Sequence, residues 1–202
     1  MKIQRPREES YYPSSWDGRC VTPEARSVAA RFRFASAFKG CFMENDIGNE
    51  TKAGYEGLLR LVLFQSSFEK FKALSVGTNE EKICYLEEKY CGKELKAEGA
   101  VKISSCLKIL KVLEYSAKRK KLQSNIKSFR LEGAGSFLLL AQSIRNSFIH
   151  GHLAASSWGQ NPVDGANLYQ FLSHLIWKIM DEEMGQVMRD YYESSRESEG
   201  TG

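Results

Sequence analysis

Hydrophobic side chains recur along most of the chain at the i, i+3, i+4, i+7 spacing of amphipathic helices, and no segment shows strand alternation. The clearest stripe runs from Leu168 to Met180 and predicts a helix that extends to about residue 192. Another helix is predicted from Thr51 through Phe71, and because it is apolar on more than one side we expect it to be central. The pattern therefore predicts an all-α fold, an up-and-down helical bundle of about five to six helices.

Start and stop signals give the bounds of the other predicted helices. Thr22 followed by Pro23 is typical of a helix start, with an N-cap residue and then proline at the first helical position. Gly151 is the residue expected just after a helix that ends with His150. The cations of residues 118–121 end a further helix by complementing the negative end of its dipole. These helices are predicted over 22–45, 78–90, 93–116 and 136–150, with an ambiguous segment after 121 and turns at 133–136 and 161–165.

Length and composition indicate one domain. A chain of 202 residues with 42% hydrophobic residues can bury one good-sized core, which we assign to residues 22–193. Residues 1–21 mix proline, glycine and charges and are predicted to be an irregular arm. Residues 194–202 are predicted to be a disordered polar tail. No apolar run approaches the roughly 20 residues that a bilayer crossing needs, so we expect a cytoplasmic protein without membrane association.

The cysteine count and the charge narrow the class of protein only slightly. Five cysteines are an odd number and widely scattered, which indicates reduced thiols rather than a disulfide framework. A net charge of +4 permits an RNA partner without requiring one. The candidate RNA-binding residues are the locally clustered cations, although charge runs between helices are commonly just solvated. These cations are Lys118, Arg119, Lys120 and Lys121.

Candidate catalytic residues lie at the end of the helix predicted over 136–150, where Arg145 and Asn146 precede His150. An imidazole can take a proton from a ribose 2′-hydroxyl at neutral pH. A guanidinium can bind the scissile phosphate bidentately as negative charge develops. Asn146 is the i, i+4 neighbour of His150 and is its natural positioning partner. This combination predicts a metal-independent endoribonuclease site for single-stranded RNA that needs no cofactor.

Helical geometry sets a condition on this site. Each residue of an ideal helix turns the direction by about 100°, so Arg145 and His150 point roughly 140° apart. For Arg145 to reach a phosphate at His150, its long side chain must wrap round, the last turn must loosen before Gly151, or a two-fold-related copy must supply it. The condition favours a homodimer.

The order of arginine, polar residue and then histidine late in a helical bundle resembles the HEPN superfamily, many of whose members are metal-independent endoribonucleases. The resemblance implies that Arg145 and His150 are catalytic, that Asn146 is the polar residue after the arginine, and that the active cleft lies between two protomers. His152 also fits the upper spacing limit and is a candidate RNA contact. The resemblance further implies a toxin or defence role with an antitoxin or nucleotidyltransferase partner. Some branches carry a tyrosine for that partner to modify where this chain has His152.

Other interpretations of the same residues stay open. His150 and His152 can simply complement a helix dipole while Arg145 forms a surface ion pair. The bundle can also be a non-catalytic module that binds RNA or a protein partner, or a purely structural one. A metal site at the two histidines is disfavoured, because no His-Glu-x-x-His or Cys-x-x-Cys spacing is present. The glycine-rich residues 133–136 lack the Lys-Ser/Thr of a P-loop.

Overall fold

The computed structural model describes residues 23–40, 47–73, 78–155 and 159–199, and the described residues contain helices and connections but no strand. The predicted all-α fold is confirmed, with eight helices in these ranges rather than five to six. The predicted irregular arm, residues 1–21, lies outside the described residues. The helices are α1 (Pro23–Ala37), α2 (Asn49–Lys72), α3 (Asn79–Tyr90), α4 (Lys93–Ser104), α5 (Leu107–Ser116), α6 (Lys120–Glu132), α7 (Phe137–Ile149) and α8 (Pro162–Glu199).

Helices α2 and α8 form the centre of the bundle and share its most extensive helix–helix contact. Phe64 and Phe68 of α2 are buried, as are Leu172 and Ile176 of α8. Helix α1 packs against α2, and α4 packs against α8. The central position expected for the helix from Thr51 is therefore confirmed.

Helix α7 positions the candidate site, and it contacts α2, α3, α5, α6 and α8. Leu140 and Ile144 on its inner face are fully buried. At its N-terminal end, the Ser136 hydroxyl accepts a hydrogen bond from the Leu139 backbone N–H at 3.1 Å and donates one to Oε1 of Glu87 at 2.8 Å. Packing along one face and anchoring at one end together fix where the other end of α7 lies.

The first predicted helix ends earlier than expected, at Ala37 instead of about residue 45. Nη2 of Arg60 donates a hydrogen bond to the Phe38 carbonyl at 3.1 Å, and Cζ of this arginine lies 5.8 Å from the centroid of the Phe38 ring. Gly40 then has a φ of 151°, a backbone conformation that favours glycine. The helix thus ends where the chain makes these contacts with α2. Residues 41–46 lie outside the described ranges.

The prediction of a single helix over 93–116 is wrong, because α4 and α5 are separate helices that meet at Ser105 and Cys106. Nε2 of Gln160 donates to the Ser105 carbonyl at 3.1 Å. The Cys106 thiol, which is fully buried, donates to the Asp164 carbonyl over 3.4 Å. These contacts with the segment around the start of α8 satisfy polar groups at the break. Val101 and Leu107, which belong to the apolar pattern that predicted the single helix, are exposed at 69% and 49%.

The prediction that the basic run at 118–121 ends a helix is wrong. Helix α5 stops before it, and Lys120 and Lys121 are the first residues of α6. Cations at a helix N-terminus oppose the dipole. Burial of Leu122 and Ile126 stabilises α6 in spite of that, so the ambiguous segment of the sequence is a helix.

Helix α8 is longer at both ends than the sequence predicts. Pro162 is its first residue rather than part of a turn, and Oδ1 of Asn161 accepts a hydrogen bond from the Val163 backbone N–H at 2.9 Å, as an N-cap residue does. The helix continues to Glu199, so residues 194–199 of the predicted disordered tail 194–202 are helical, and residues 200–202 lie outside the described residues. In the part of the chain that the structure describes, none of the helices combines the length and apolar character that a membrane crossing requires.

The cysteines within the described residues are free thiols, as predicted. Cys91 and Cys106 are buried, and burial raises the pKa of Cys91 to about 11 and the pKa of Cys106 to about 12. A thiol with so high a pKa forms little thiolate and is a poor nucleophile. Cys84 is exposed. Cys91 and Cys106 are therefore structural residues of the core.

Candidate functional site

A cavity with a volume of about 310 Å³ lies at the C-terminal end of α7, next to the end of α5 and the start of α6. Asn146 and three serines supply part of its polar lining, and Ala117 and Leu122 are its apolar lining. Among the described residues, none of those that line the cavity carries a carboxylate. The lining is therefore suited to an anion. Its cations and imidazoles are Lys118, Arg119, Arg145, His150 and His152.

The cavity collects most of the residues that the sequence predicts for a site. All three predicted catalytic residues, Arg145, Asn146 and His150, line it. Two of the predicted RNA-binding residues, Lys120 and Lys121, do not line the cavity. Nζ of Lys121 instead forms an ion pair with Oε1 of Glu80 at 2.6 Å. The basic run is thus divided between the cavity and the surface of α6. The predicted residues found in the cavity are Lys118, Arg119, Arg145, Asn146, His150 and His152.

Two nested hydrogen bonds end α7 at the cavity. The backbone N–H of His152 donates to the Ser147 carbonyl at 2.8 Å, and the N–H of Gly151 donates to the Phe148 carbonyl at 3.0 Å. Gly151 has a φ of 74°, the left-handed conformation that this Schellman motif requires and that glycine adopts without strain. The prediction that the helix stops at His150 before Gly151 is confirmed. The chain reverses there, and the side chains on both sides of the glycine line one cavity.

Arg145 and His150 line this cavity within one chain. The last helical residue is Ile149, and His150 follows with φ −86° and ψ 7° as the C-cap. The N–H of His150 still donates to the Asn146 carbonyl at 3.0 Å, so the last turn is not loosened. Of the three routes that the helical geometry allowed, the structure shows the one in which the long Arg145 side chain bends round, here toward Asn146. A second copy of the chain is not needed to bring Arg145 to the cavity that holds His150.

The side chains of Arg145 and Asn146 are joined by a hydrogen bond from Nη1 to Oδ1 at 3.0 Å. A guanidinium has five N–H donors, and the buried Nε of Arg145 has no hydrogen-bond partner within the described residues. Arg145 also forms no ion pair with any described residue, in contrast to the surface ion pair of the functionless interpretation. Asn146 was predicted to position His150, but its side-chain hydrogen bond goes to the arginine.

The linker of residues 117–119 places two cations at the cavity. Nε2 of Gln123, on α6, donates to the Ala117 carbonyl at 2.7 Å, and its backbone N–H donates to the Arg119 carbonyl at 3.1 Å. Ser116, the last residue of α5, contacts Ser147 of α7 through their hydroxyl oxygens at 2.5 Å. These bonds tie the linker and α5 to the helices around the cavity. Lys118 and Arg119 therefore border the same space as the end of α7.

The cavity also contains serines that the sequence analysis missed. Ser143 and Ser147 of α7 line it and are almost fully buried. Together with Asn146 and His150 they occupy positions i, i+3, i+4 and i+7, which is one helix face. A polar stripe on an otherwise apolar helix was thus readable from the sequence. Ser116 had no such signal, because its place depends on how α5 packs against α7.

A metal site at His150 and His152 was weighed from the sequence. Within the described ranges, no three or more His, Cys, Asp or Glu side chains are grouped where they could hold a metal ion. The polar side chains that accompany the two histidines in the cavity are cations, an amide and hydroxyls. Such groups bind anions better than they bind metal cations.

Comparison of the chain with protein-family models, curated proteins and solved structures gives no match. The resemblance to the HEPN superfamily therefore stays a prediction. It depends on Arg145, Asn146 and His150 and on the all-α fold.

Proposed function

We propose that the protein is a metal-independent endoribonuclease that cleaves single-stranded RNA at the cavity beside the end of α7. The observation that carries the proposal is that Arg145, Asn146 and His150 line one cavity whose described lining has cations and imidazoles but no carboxylate. A phosphodiester is an anion that can be cleaved with proton transfer alone, so it suits this lining. The fold by itself supports no particular activity.

Each of the three residues has a role in the proposed reaction. The Arg145 guanidinium binds the scissile phosphate through N–H donors other than the one bonded to Asn146, and it stabilises the charge that develops there. Asn146 accepts a hydrogen bond from Nη1 of Arg145 and so orients the guanidinium. His150 transfers a proton as the ribose 2′-oxygen attacks the phosphorus and the 5′-oxygen leaves. The products are a 2′,3′-cyclic phosphate and a 5′-hydroxyl.

The size and border of the cavity support single-stranded RNA as the substrate. A volume of about 310 Å³ is at the small end of ligand pockets, which suits one phosphodiester with its ribose rather than a duplex. Lys118 and Arg119 at the border attract phosphates on either side of the one that is cleaved. Single strands can present a splayed nucleotide to such a pocket, whereas an A-form helix cannot.

The cellular setting belongs to the proposal as well. The cytoplasmic location is an expectation from the apolar pattern of the sequence, and the homodimer is one from helical geometry as well as from the family resemblance. The toxin or defence role with an antitoxin or nucleotidyltransferase partner comes from the resemblance alone. Since Arg145 and His150 line one cavity within one chain, a dimer would extend the RNA-binding surface rather than complete the pair.

The test is a chelated cleavage assay on two matched strands, a mixed-sequence single-stranded RNA and its fully 2′-O-methylated counterpart. In excess EDTA we expect the protein to cleave the RNA, to leave 2′,3′-cyclic phosphate ends, and to leave the methylated strand intact. The methyl group removes the nucleophile without removing the phosphates. Equal cleavage of both strands, or no cleavage of a broad set of RNAs, would overturn the proposal.

One observation favours a second candidate, a non-catalytic module that binds RNA. Tyr115, the residue before Ser116 of the cavity, is 85% exposed. An exposed aromatic ring one residue along the chain from a basic cavity can serve as a platform on which a base stacks. This candidate predicts that the wild-type protein binds RNA without cleaving it and that His150→Ala binds equally well.

A further inference from the structure

The proposed cleavage needs two proton transfers, and His150 accounts for one of them. When the ribose 2′-oxygen forms a bond to phosphorus, its proton must pass to a base. When the bond from phosphorus to the 5′-oxygen breaks, that oxygen must receive a proton from an acid. Two different groups perform these transfers most easily, because the base and the acid stand on opposite sides of the phosphorus in an in-line attack.

The cavity lining leaves few candidates for the second group. The guanidinium groups of Arg119 and Arg145 do not give up a proton in proteins. The Lys118 ammonium is a donor that cannot act as the base. Serine hydroxyls and the Asn146 amide neither take nor give a proton readily at neutral pH. Among the lining residues, His150 and His152 alone carry a side chain that exchanges protons easily near neutral pH.

The end of α7 fixes the backbone of both histidines with respect to one another. His150 is the C-cap residue, and His152 is held by the hydrogen bond from its backbone N–H to the Ser147 carbonyl at 2.8 Å. Gly151 between them reverses the chain, so residues two apart line the same cavity. Both histidines are exposed to solvent, so a substrate can reach them.

We propose that His152 is a second catalytic residue and that His150 and His152 form the acid–base pair of the RNA cleavage. This inference rests on the proposed endoribonuclease function and adds a role for a residue beyond the Arg145, Asn146 and His150 set. One imidazole accepts the 2′-hydroxyl proton while the other, as an imidazolium, protonates the 5′-oxygen. The proton gained by the first balances the proton lost by the second, so the site needs no other co-reactant.

The pair predicts a bell-shaped dependence of the cleavage rate on pH. One imidazole must be neutral and the other protonated, so the rate falls on both the acid and the alkaline side. The charged groups that line the cavity together with the pair are Lys118 and Arg119 from the linker and Arg145 from α7, and all three are cations. None of these cations can take over the role of an imidazole as base or acid near neutral pH. In each histidine variant we therefore expect the cleavage rate to lose its fall on one side of the pH profile, either the acid or the alkaline side.

The experiment compares His150→Ala and His152→Ala on two substrates. The first is an RNA that the wild type cleaves, and the second carries a bridging sulfur in place of the 5′-oxygen at that bond. A thiolate leaves without being protonated, because a thiol is far more acidic than an alcohol. On the ordinary RNA we expect each variant to lose about 100-fold or more in rate. On the sulfur substrate, the variant that lacks the acid regains most of the rate, whereas the variant that lacks the base does not.

The outcomes separate this inference from the proposed function. Rescue of either histidine variant alone supports the pair and tells which imidazole is the acid. If the wild type cleaves RNA but His152→Ala stays within threefold of its rate, the pair is wrong while the endoribonuclease proposal stands. Equal impairment of both variants on the sulfur substrate, or rescue of Lys118→Ala instead, also overturns it. His152→Gln and melting temperatures of all variants control for folding.

Discussion

Arg145 donates a hydrogen bond from Nη1 to Oδ1 of Asn146, its neighbour in the chain, over 3.0 Å. Adjacent residues on a helix point about 100° apart, so this contact requires the long arginine side chain to bend round the helix. The amide thereby holds the guanidinium at the cavity. Asn146 acts on the phosphate-binding group of the proposed site, and its side chain bonds to Arg145 rather than to His150.

Replacing Asn146 should weaken cleavage without unfolding the protein. In Asn146→Ala the guanidinium loses its acceptor, and since hydrogen bonds to charged groups contribute about 1.5 to 3 kcal/mol, we expect kcat/KM to fall by about tenfold or more. The matched control is Gln142→Ala, which removes a half-buried amide from the same helix outside the cavity lining. A steady-state assay in which both variants lose equally would show that Asn146 has no special role.

Substitutions at two glycines distinguish the effect of the α7 end geometry on cleavage from the effect of protein stability on cleavage. Gly151 and Gly133 have φ values of 74° and 66°, and at both a Cβ would meet nothing within 4 Å. Alanine in this left-handed conformation costs roughly 1–2 kcal/mol, so Gly151→Ala and Gly133→Ala should lower the free energy of unfolding by similar amounts. Only Gly151→Ala disturbs the Schellman motif between the histidines, and only it should lower the cleavage rate.

Urea unfolding and the cleavage assay together check this pair of variants. Gly133 ends α6 at its far end from the cavity lining, which makes it a control with the same backbone strain. Cleavage that falls equally in both variants would mean that stability, not the placement of the histidines, limits the rate.

The division of the basic run predicts different salt dependences for two double variants. Lys118→Ala with Arg119→Ala removes two cations from the cavity border, whereas Lys120→Ala with Lys121→Ala removes the same charge from the start of α6. On a non-cleavable 2′-O-methyl RNA, the first should reduce the slope of log K against log salt by about 1.4, from about 0.7 for each phosphate contact. The second should leave the slope near the wild-type value. Equal slopes for the two variants would show that the cations at the cavity border do not contribute specially to RNA binding.

Glu87 makes the anchor of α7 sensitive to pH. Its Oε1 accepts hydrogen bonds from the Ser136 hydroxyl at 2.8 Å and from the Leu138 N–H at 2.9 Å. Burial raises the pKa of Glu87 above its ordinary value of 4.5. The folded state therefore binds this proton more tightly than the unfolded state does. As pH rises above 4.5 and through the raised pKa, the contribution of Glu87 to stability is progressively lost.

Glu87→Gln should remove this pH dependence, because the amide stays neutral and its oxygen can accept the same two hydrogen bonds. The free energy of unfolding of the variant should rise relative to that of the wild type between about pH 4 and about pH 7. Urea unfolding of both proteins across that range measures the difference. A difference in the free energy of unfolding that stays constant with pH, or that changes in the opposite direction, would show that burial does not raise the pKa of the Glu87 carboxyl.

The fold was predictable where the pattern along the chain decides it. The helix from Thr51 and the helix with the stripe from Leu168 are central because their apolar faces can be buried only together. The break at Ser105 was not predictable, since it depends on the Gln160 amide, which comes from a distant part of the chain. The early end of α1 likewise depends on Arg60 of another helix.

The candidate site was predictable to the extent that it is local. The end of α7 at His150 follows from Gly151 next to it, because a left-handed residue at that position is a property of a few neighbouring residues. The joining of Lys118 to the same cavity, and the exclusion of Lys121, depend on how α5, α6 and α7 pack. Helical angles alone also overstated the separation of Arg145 from the histidine, since they leave out the reach of the long arginine side chain.

The central claim is that the cavity at the end of α7 cleaves RNA, and the most direct test is the initial cleavage rate of His150→Ala in excess EDTA. The control is His174→Ala, which removes a histidine of α8 whose ring lies 5.5 Å from that of Trp177, outside the cavity lining. We predict that His150→Ala loses about 100-fold or more in rate while His174→Ala cleaves like the wild type. Cleavage by His150→Ala at the wild-type rate would contradict the claim.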